Sequence, residues 1–402
     1  MKSDNMKPYL FENWHIKSWK DFLLLQQPNY SDYTLLLNTL SKLKSANKIV
    51  TENEIDQLKY FYSEAEKGNI FILQAGDCAE TFDSCSFKDV KLRVEHILNL
   101  AKNLEDSIQK KVIVVGRIAG QYAKPRSEPF ETLNHYSLPA FRGDIINGID
   151  FNEIQRQPDP LRLLKAYESS KKTYDWIKEI TNHTFFISHE ALLLNYETNL
   201  THKSIYSDKW YNFSAHTLWL GERTRELKSA HVEYLRGISN PVGIKLGPNA
   251  NYKEMVSLLK LLNPQNISGK INLITRFGNK KNDLNLENLI DYLNQSGLRF
   301  SWSCDPMHGN SYKTNNGFKT RNFDDIINEL IHTHKIHNKL GSYLSGIHLE
   351  LTYKNVTECI GGYKNKLNEN NLSENFQSFC DPRLNKQQSI DLIELFLLQR
   401  NE

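Results

Sequence analysis

Short apolar runs recur along this chain, each followed by a polar turn and then by a stretch with helical spacing. From Phe71 onward the runs are FILQAG, VIVVGR, TFFISHE, NFSAHTLWLGER, PVGIKLG, INLITR, FSWSCDPMH and SGIHLEL. They are continuous rather than alternating, as expected of strands buried on both faces of a parallel sheet. Between them, apolar residues fall three and four apart. Val90, Val94, Ile97, Ala101 and Leu104 share a helical face after the first run, and Met255, Leu258, Leu259 and Leu262 do so after the fifth. Leu286, Leu289, Ile290 and Leu293 follow the sixth, and Phe323, Ile326, Ile327, Leu330 and Ile331 the seventh. Parallel strands require such crossovers. Ahead of the first run, the same spacing predicts helices over Tyr33–Leu43 and Glu54–Glu66, the second ended by Gly68.

Each run also ends in chemistry. An Asp-Cys-Ala-Glu turn follows the first, Arg117 closes the second, and His189 with Glu190 closes the third. Glu222 and Arg223, Lys245, Arg276, Asp305 with His308, and Glu350 follow in the other five. Eight parallel strands with polar residues at their carboxyl ends predict a (β/α)8 TIM barrel with one active-site face. The barrel spans residues 70–402, and residues 1–69 form an N-terminal helical extension. A doubly wound open sheet is the structural rival, but it concentrates phosphate-binding glycines in its first turn, and the chain has neither GxGxxG nor a P-loop.

Composition narrows the class further. Fifty Lys and Arg against 47 Asp and Glu leave a net charge of +3, too little to argue for nucleic acid or an acidic membrane surface as partner. The first twenty residues carry no apolar core of a signal peptide. No stretch approaches the roughly 18 apolar residues of a membrane span. Five cysteines without framework spacing point to the reducing cytoplasm.

Cys78, His308, Glu350 and Asp381 offer one thiolate, one imidazole and two carboxylates, a mixed soft and hard set suited to Mn, Fe, Co or Zn. No local spacing joins them, and only the barrel brings them together. A cysteine after a strand is otherwise a small buried hydrophobe. A second set is cationic: Arg117, Lys124, Arg126, Arg223, Lys245 and Arg276. Arg117, Lys245 and Arg276 lie within or directly after apolar strands, where a charge is costly unless paired, and Glu222, next to Arg223 in sequence, offers one such partner. Cations converging on one barrel mouth fit a substrate carrying phosphate and carboxylate together. KPRSEP at Lys124–Pro129 adds a proline-fixed turn with two cations and the Ser127 hydroxyl, suited to a second phosphate. In DPMHGN and DPRLN, proline holds Asp305 and Asp381 out of the helical region. His189 and Glu190 are candidates for proton transfer or for contact with a substrate hydroxyl.

In order, the blocks QAGDCAETF, GRIAGQYAKPRS, SHEALLLNYE, GERTRE, VGIKLGP, ITRFG, CDPMHGN, GIHLELTYKNVTECIGG and DPRLN resemble class II 3-deoxy-D-arabino-heptulosonate 7-phosphate (DAHP) synthase across Phe71–Asn385. QQPNY at Gln26–Tyr30 resembles that family's usual opening. The resemblance implies condensation of phosphoenolpyruvate with D-erythrose 4-phosphate and water, the first step of the shikimate pathway. It implies a divalent metal, Mn2+ with Co2+ as the alternative, on Cys78, His308, Glu350 and Asp381. Arg117, Glu222, Arg223, Lys245 and Arg276 are then expected on phosphoenolpyruvate, and Lys124, Arg126 and Ser127 on the phosphate of erythrose 4-phosphate. Lys245, Arg276 and His308 are the residues expected at the chemistry itself. Ala75 stands in place of a usual glycine, and Tyr353-Lys354 in place of a Gly-Glu-like stretch. Only about 60 residues separate Ser127 from His189, where feedback-regulated members carry additional helices. The chain thus resembles the short form of secondary-metabolite clusters such as those for phenazines, with weak or absent regulation. A homo-oligomer, dimer or tetramer, is expected. Two rivals are a different metal-dependent aldolase on the same barrel and a catalytically silent homologue acting as a regulatory binding partner.

Overall fold

The computed structural model describes residues 14–133, 135–182, 185–279 and 283–400; the first thirteen residues of the expected helical extension lie outside this set. Eight strands, β1 (Phe71–Gly76), β2 (Val112–Arg117), β3 (Phe186–Glu190), β4 (Thr217–Leu220), β5 (Val242–Leu246), β6 (Ile271–Thr275), β7 (Ser301–Cys304) and β8 (Leu344–Glu350), close into a parallel barrel. The order is β1-β8-β7-β6-β5-β4-β3-β2, so each strand pairs with its neighbours in sequence and β8 closes on β1. This is the predicted (β/α)8 architecture, on the predicted runs.

Register decides what shares the rim. Gly76 at the end of β1 is level with Glu350 on one side and Arg117 on the other. Gly76 has φ +150°, and a Cβ there would stand 2.6 Å from the Arg117 carbonyl oxygen. Only glycine lets the three strand ends meet.

Helices α1 (Tyr33–Lys44) and α2 (Glu52–Glu66) precede the barrel, and α3 (Phe87–Ile108), α4 (Leu161–Thr181), α5 (Tyr252–Leu262), α6 (Asp283–Asn294), α7 (Phe323–Lys339) and α8 (Lys386–Arg400) surround it. α2 starts two residues before the apolar spacing suggests. Thr51 Oγ1 accepts from Glu54 N at 3.3 Å while Glu54 Oε2 accepts from Thr51 N at 2.7 Å, a capping box that satisfies the first free amides. Leu58, Tyr62 and Ala65 of α2 pack with Ile70, Ile72, Ile113, Val115 and Phe186, which covers the amino-terminal end of β1 to β3. Each of the leucine, isoleucine, valine and phenylalanine side chains among them contributes roughly 1.5–3 kcal/mol when fully buried.

Three antiparallel hairpins were not visible in the sequence pattern: Phe130–Leu133 with Tyr136–Pro139, Thr201–Lys203 with Trp210–Asn212, and Ser311–Lys313 with Lys319–Arg321. Strands of three or four residues are too short to show a period. The first and third stand over the carboxyl ends of the barrel, where Phe130, Glu131, Lys313 and Lys319 line the cavity described next. Among the described residues, no helix is long and apolar enough to cross a membrane.

Candidate active site

The carboxyl ends of the strands surround a cavity of about 670 Å3, and all six expected cations, Arg117, Lys124, Arg126, Arg223, Lys245 and Arg276, line it. Ser127, Glu190, Glu222, His308 and Asp381 line it too. Cys78 and Glu350 are buried against its wall.

Arg117 is held on every side. It donates to Asp77 O at 3.0 Å, to Cys78 O at 3.3 Å and to Glu350 Oε1 at 2.8 Å, and its plane lies over the Trp219 ring at 4.9 Å. Its Nη1 also meets His348 Nε2. Because arginine only donates, that nitrogen must accept, and the His348 proton sits on Nδ1, 2.9 Å from Gln74 Oε1. Burial, with Lys245 and Arg117 nearby, keeps His348 well below its usual pKa and therefore neutral. Lys245 is bonded to Asp305 at 2.5 Å. Burial pushes its pKa down to about 8; Arg117 and Arg276 add to this and Asp305 opposes it. Arg276 donates to His308 O at 3.0 Å.

Glu222 does not pair with its neighbour Arg223. It binds Arg225 at 2.7 Å and accepts from Gly247 N at 2.8 Å, while Arg223 reaches Ser127 Oγ at 2.7 Å. Thr224 N bonds back to Gly221 O at 3.1 Å, and in this tight turn the neighbouring side chains diverge while residues three apart meet.

His308, Glu350 and Asp381 bring donor atoms within 4.8 Å of one another, a group able to hold a metal ion. Asp305 Oδ2 holds His308 Nδ1 at 2.7 Å, so Nε2 faces Glu350 at 3.1 Å and Asp381 at 3.7 Å. A carboxylate behind an imidazole is the usual support of a metal-binding histidine. Burial opposes ionisation of Glu350, but His308, Lys124, Arg321 and Arg117 hold its carboxyl well below the usual range. Asp381 is likewise held low, by Lys124, Arg321 and Lys319 against burial. The donor set therefore fits a divalent cation: two ionised carboxylates and an oriented imidazole. Cys78 lies beside this trio rather than within it, 3.4 Å from Ser378 Oγ. A hydrogen bond from Cys380 lowers its thiol pKa, which favours the thiolate a metal needs. Lys124, expected at the second phosphate, is placed on the carboxylates of the metal set, 3.4 Å from Glu350 and bonded to Asp381.

Several contributors escaped the sequence reading. Arg321, fully buried in the third hairpin, lies 2.8 Å from Glu350 Oε2. Glu80 accepts from the amides of Ala119, Gly120 and Gln121 at 3.2, 2.9 and 3.0 Å, shaping the turn that leads to Lys124. Gln26 grips the main chain of Arg126 twice, accepting from its N at 3.0 Å and donating to its O at 3.1 Å. The motif QQP was the only sequence signal for that last contact, and it carried no geometry. His189 is turned onto Glu197 at 2.8 Å and does not line the cavity, whereas Glu190 does. Burial raises the carboxyl pKa of Glu190 against the pull of Lys124, His308, Lys245 and Arg117.

The sequence profile of the Class-II DAHP synthetase family matches residues 14–185 and 175–397. The chain is 36% identical to a phospho-2-dehydro-3-deoxyheptonate aldolase of Streptomyces coelicolor, over 93% of this chain and 95% of that protein. It is 38% identical to a protein of the same name from Neurospora crassa, over 94% of this chain and 92% of that one. With barrel, cation-lined cavity and sequence in agreement, the chain belongs to the class-II DAHP synthetase family.

Proposed function

We propose that the chain is a 3-deoxy-7-phosphoheptulonate synthase, a transferase that joins phosphoenolpyruvate, erythrose 4-phosphate and water into 3-deoxy-D-arabino-heptulosonate 7-phosphate and phosphate. The observation that carries this reading is the meeting of six cations with an imidazole–carboxylate cluster in one cavity. Arg117, Arg223, Lys245 and Arg276 hold the phosphate and carboxylate of phosphoenolpyruvate, each hydrogen bond to a charged group contributing roughly 1.5–3 kcal/mol. Glu222, through Arg225 and Gly247, keeps that wall in place. Arg126 and Ser127, with Lys124 behind them, take the phosphate of erythrose 4-phosphate. Held this way, C3 of the enol stands in attack geometry against the aldehyde carbon. Cys78, His308, Glu350 and Asp381 would hold a divalent cation, Mn2+ in our reading with Co2+ as the alternative, which would supply Lewis acidity toward the aldehyde oxygen. Glu190, whose carboxyl pKa burial raises, lines the same cavity and is the group we assign to proton transfer or to contact with a substrate hydroxyl. Water then adds at C2, the C2–O bond to phosphate breaks as the hemiketal collapses, and phosphate leaves into the cationic wall.

The test is phosphate release. Release should require both substrates, stop after exhaustive chelation with EDTA and return with Mn2+. Full activity after chelation removes the metal from the reading. Release only with other aldehydes favours a different aldolase, and no release with any favours the silent homologue.

We also read this enzyme as weakly regulated, cytoplasmic and oligomeric, a dimer or tetramer, with a place in secondary metabolism. Its five free cysteines suit a reducing compartment. The exposed Leu133, Tyr136 and Ile154 offer apolar surface for self-association, which light scattering would measure.

A further inference from the structure

Two loops carry the chemistry of β6 and β7. One continues from Arg276 through Phe277 and Gly278, and the other from His308 through Gly309 and Asn310. They touch backbone to backbone: Gly278 has φ +81°, a Cβ on it would lie 2.7 Å from Gly309 O, and a Cβ on Gly309 would lie 2.4 Å from Gly278 N. One side chain, from outside both loops, binds the two together. Glu329 on α7 is 4% exposed. Its Oε1 accepts from the amides of Phe277 at 2.8 Å and Gly278 at 2.9 Å, and its Oε2 accepts from Asn310 Nδ2 at 2.7 Å. Asn310 cannot turn over to suit another partner, because its Oδ1 accepts from Asn279 N at 2.9 Å and its Nδ2 also donates to Pro306 O at 2.8 Å.

We propose that Glu329 is a positioning residue that sets the Arg276 loop and the His308 loop in a fixed mutual relation, so that phosphoenolpyruvate and the metal are held by one rigid unit. The inference rests on the reading of Arg276 as a phosphoenolpyruvate cation and His308 as a metal ligand. Glu329 touches neither ligand. It acts through the backbone of one loop and through Asn310 of the other. Burial and the nearby Asp305 raise its carboxyl pKa to about 8, against the hydrogen bonds of Gly278, Phe277 and Asn310, but the three N–H groups aimed at its two oxygens are matched by the ionised carboxylate, which offers acceptors and no donor.

The experiment uses the full chain and three variants, Glu329→Gln, Glu329→Ala and Asn310→Ala. Mn2+ affinity is measured by calorimetry without substrates, alongside KM for each substrate and Tm. Glu329→Gln keeps one oxygen for the Phe277 and Gly278 amides but sets its NH2 against the NH2 of Asn310. It should weaken Mn2+ about tenfold or more while changing KM for phosphoenolpyruvate less than about threefold. Asn310→Ala should do the same, and combining the two should cost no more than either alone. Glu329→Ala should weaken both ligands about tenfold or more, leaving KM for erythrose 4-phosphate within about threefold. Should Glu329→Ala fail to fold, the other two variants carry the test. Mn2+ affinity and KM for phosphoenolpyruvate both within about threefold of the parent, whatever happens to Tm, would reduce Glu329 to a structural residue and overturn the proposal. Two controls keep the underlying reading separate. Unchanged Mn2+ binding in His308→Ala, or unchanged KM for phosphoenolpyruvate in Arg276→Ala, would sink that reading and the proposal with it.

Discussion

Lys245 shows how burial sets chemistry at single residues. With its pKa pushed down to about 8 by desolvation, it is an ammonium at neutral pH and loses its charge just above. An anionic substrate binds the charged form, so kcat/KM for phosphoenolpyruvate should fall as pH rises through about 8. Lys245→Arg stays charged and should carry the fall to higher pH; a profile unchanged in that variant would detach Lys245 from substrate. The sign for stability is the reverse. The buried charge is a cost below the folded value of about 8, and the cost disappears as pH rises from there to the unfolded 10.5. At the metal set, Cys78→Ala and His308→Ala should remain folded with activity reduced at least about a hundredfold, since each 1.4 kcal/mol of lost transition-state stabilisation is tenfold in rate. A Cys78→Ala enzyme of near-parental rate would remove the thiol from the set. Arg117 and Lys245 were legible because a charge inside an apolar strand demands a partner. Arg321 and Glu329, equally buried, sit in a hairpin and on an amphipathic helix, where a charge in the sequence looks like solvated surface.

At the scale of elements, the site is assembled from loops that rigid strands present. The segment after β2 carries Arg126 and Ser127 and is gripped from a hundred residues upstream by Gln26. Arg126→Ala should chiefly raise KM for erythrose 4-phosphate, whereas Arg276→Ala should act on phosphoenolpyruvate and on kcat. If both variants weakened only phosphoenolpyruvate, the assignment of the Lys124–Ser127 turn would be wrong. Gln26→Ala removes two hydrogen bonds of about 0.5–1.5 kcal/mol each and should repeat the Arg126 effect more weakly, with kcat nearly unchanged. Helices of the barrel were legible from their spacing because each must present an apolar stripe to the sheet. The hairpins over the cavity were not, because strands of three or four residues are too short to show a period, and the buried Arg321 faces the Glu350 carboxylate rather than an apolar core.

For the whole molecule, regulation is a question of what chain is left over. Allosteric inhibition needs a second site that distinguishes two states. Between Ser127 and His189 the structure has a hairpin, the short helix Glu153–Arg156 and α4, with little room for additional helices. Tryptophan, phenylalanine and tyrosine at millimolar concentration, alone or combined, should leave the rate nearly unchanged at saturating metal. Severalfold inhibition would refute this and point to a site built by the N-terminal helices or a subunit interface. The barrel itself, its eight strands and the face that carries chemistry were determined by the sequence alone, because strands buried on both sides and helices buried on one must show their burial in the pattern of apolar residues. Which charges touch was decided only by the tertiary structure. Glu222 pairs with Arg225 rather than Arg223, His189 turns onto Glu197 while Glu190 lines the cavity, and Glu329 reaches across to two loops. Those choices depend on side-chain direction and on distances between segments far apart in the chain, and a one-dimensional pattern carries neither.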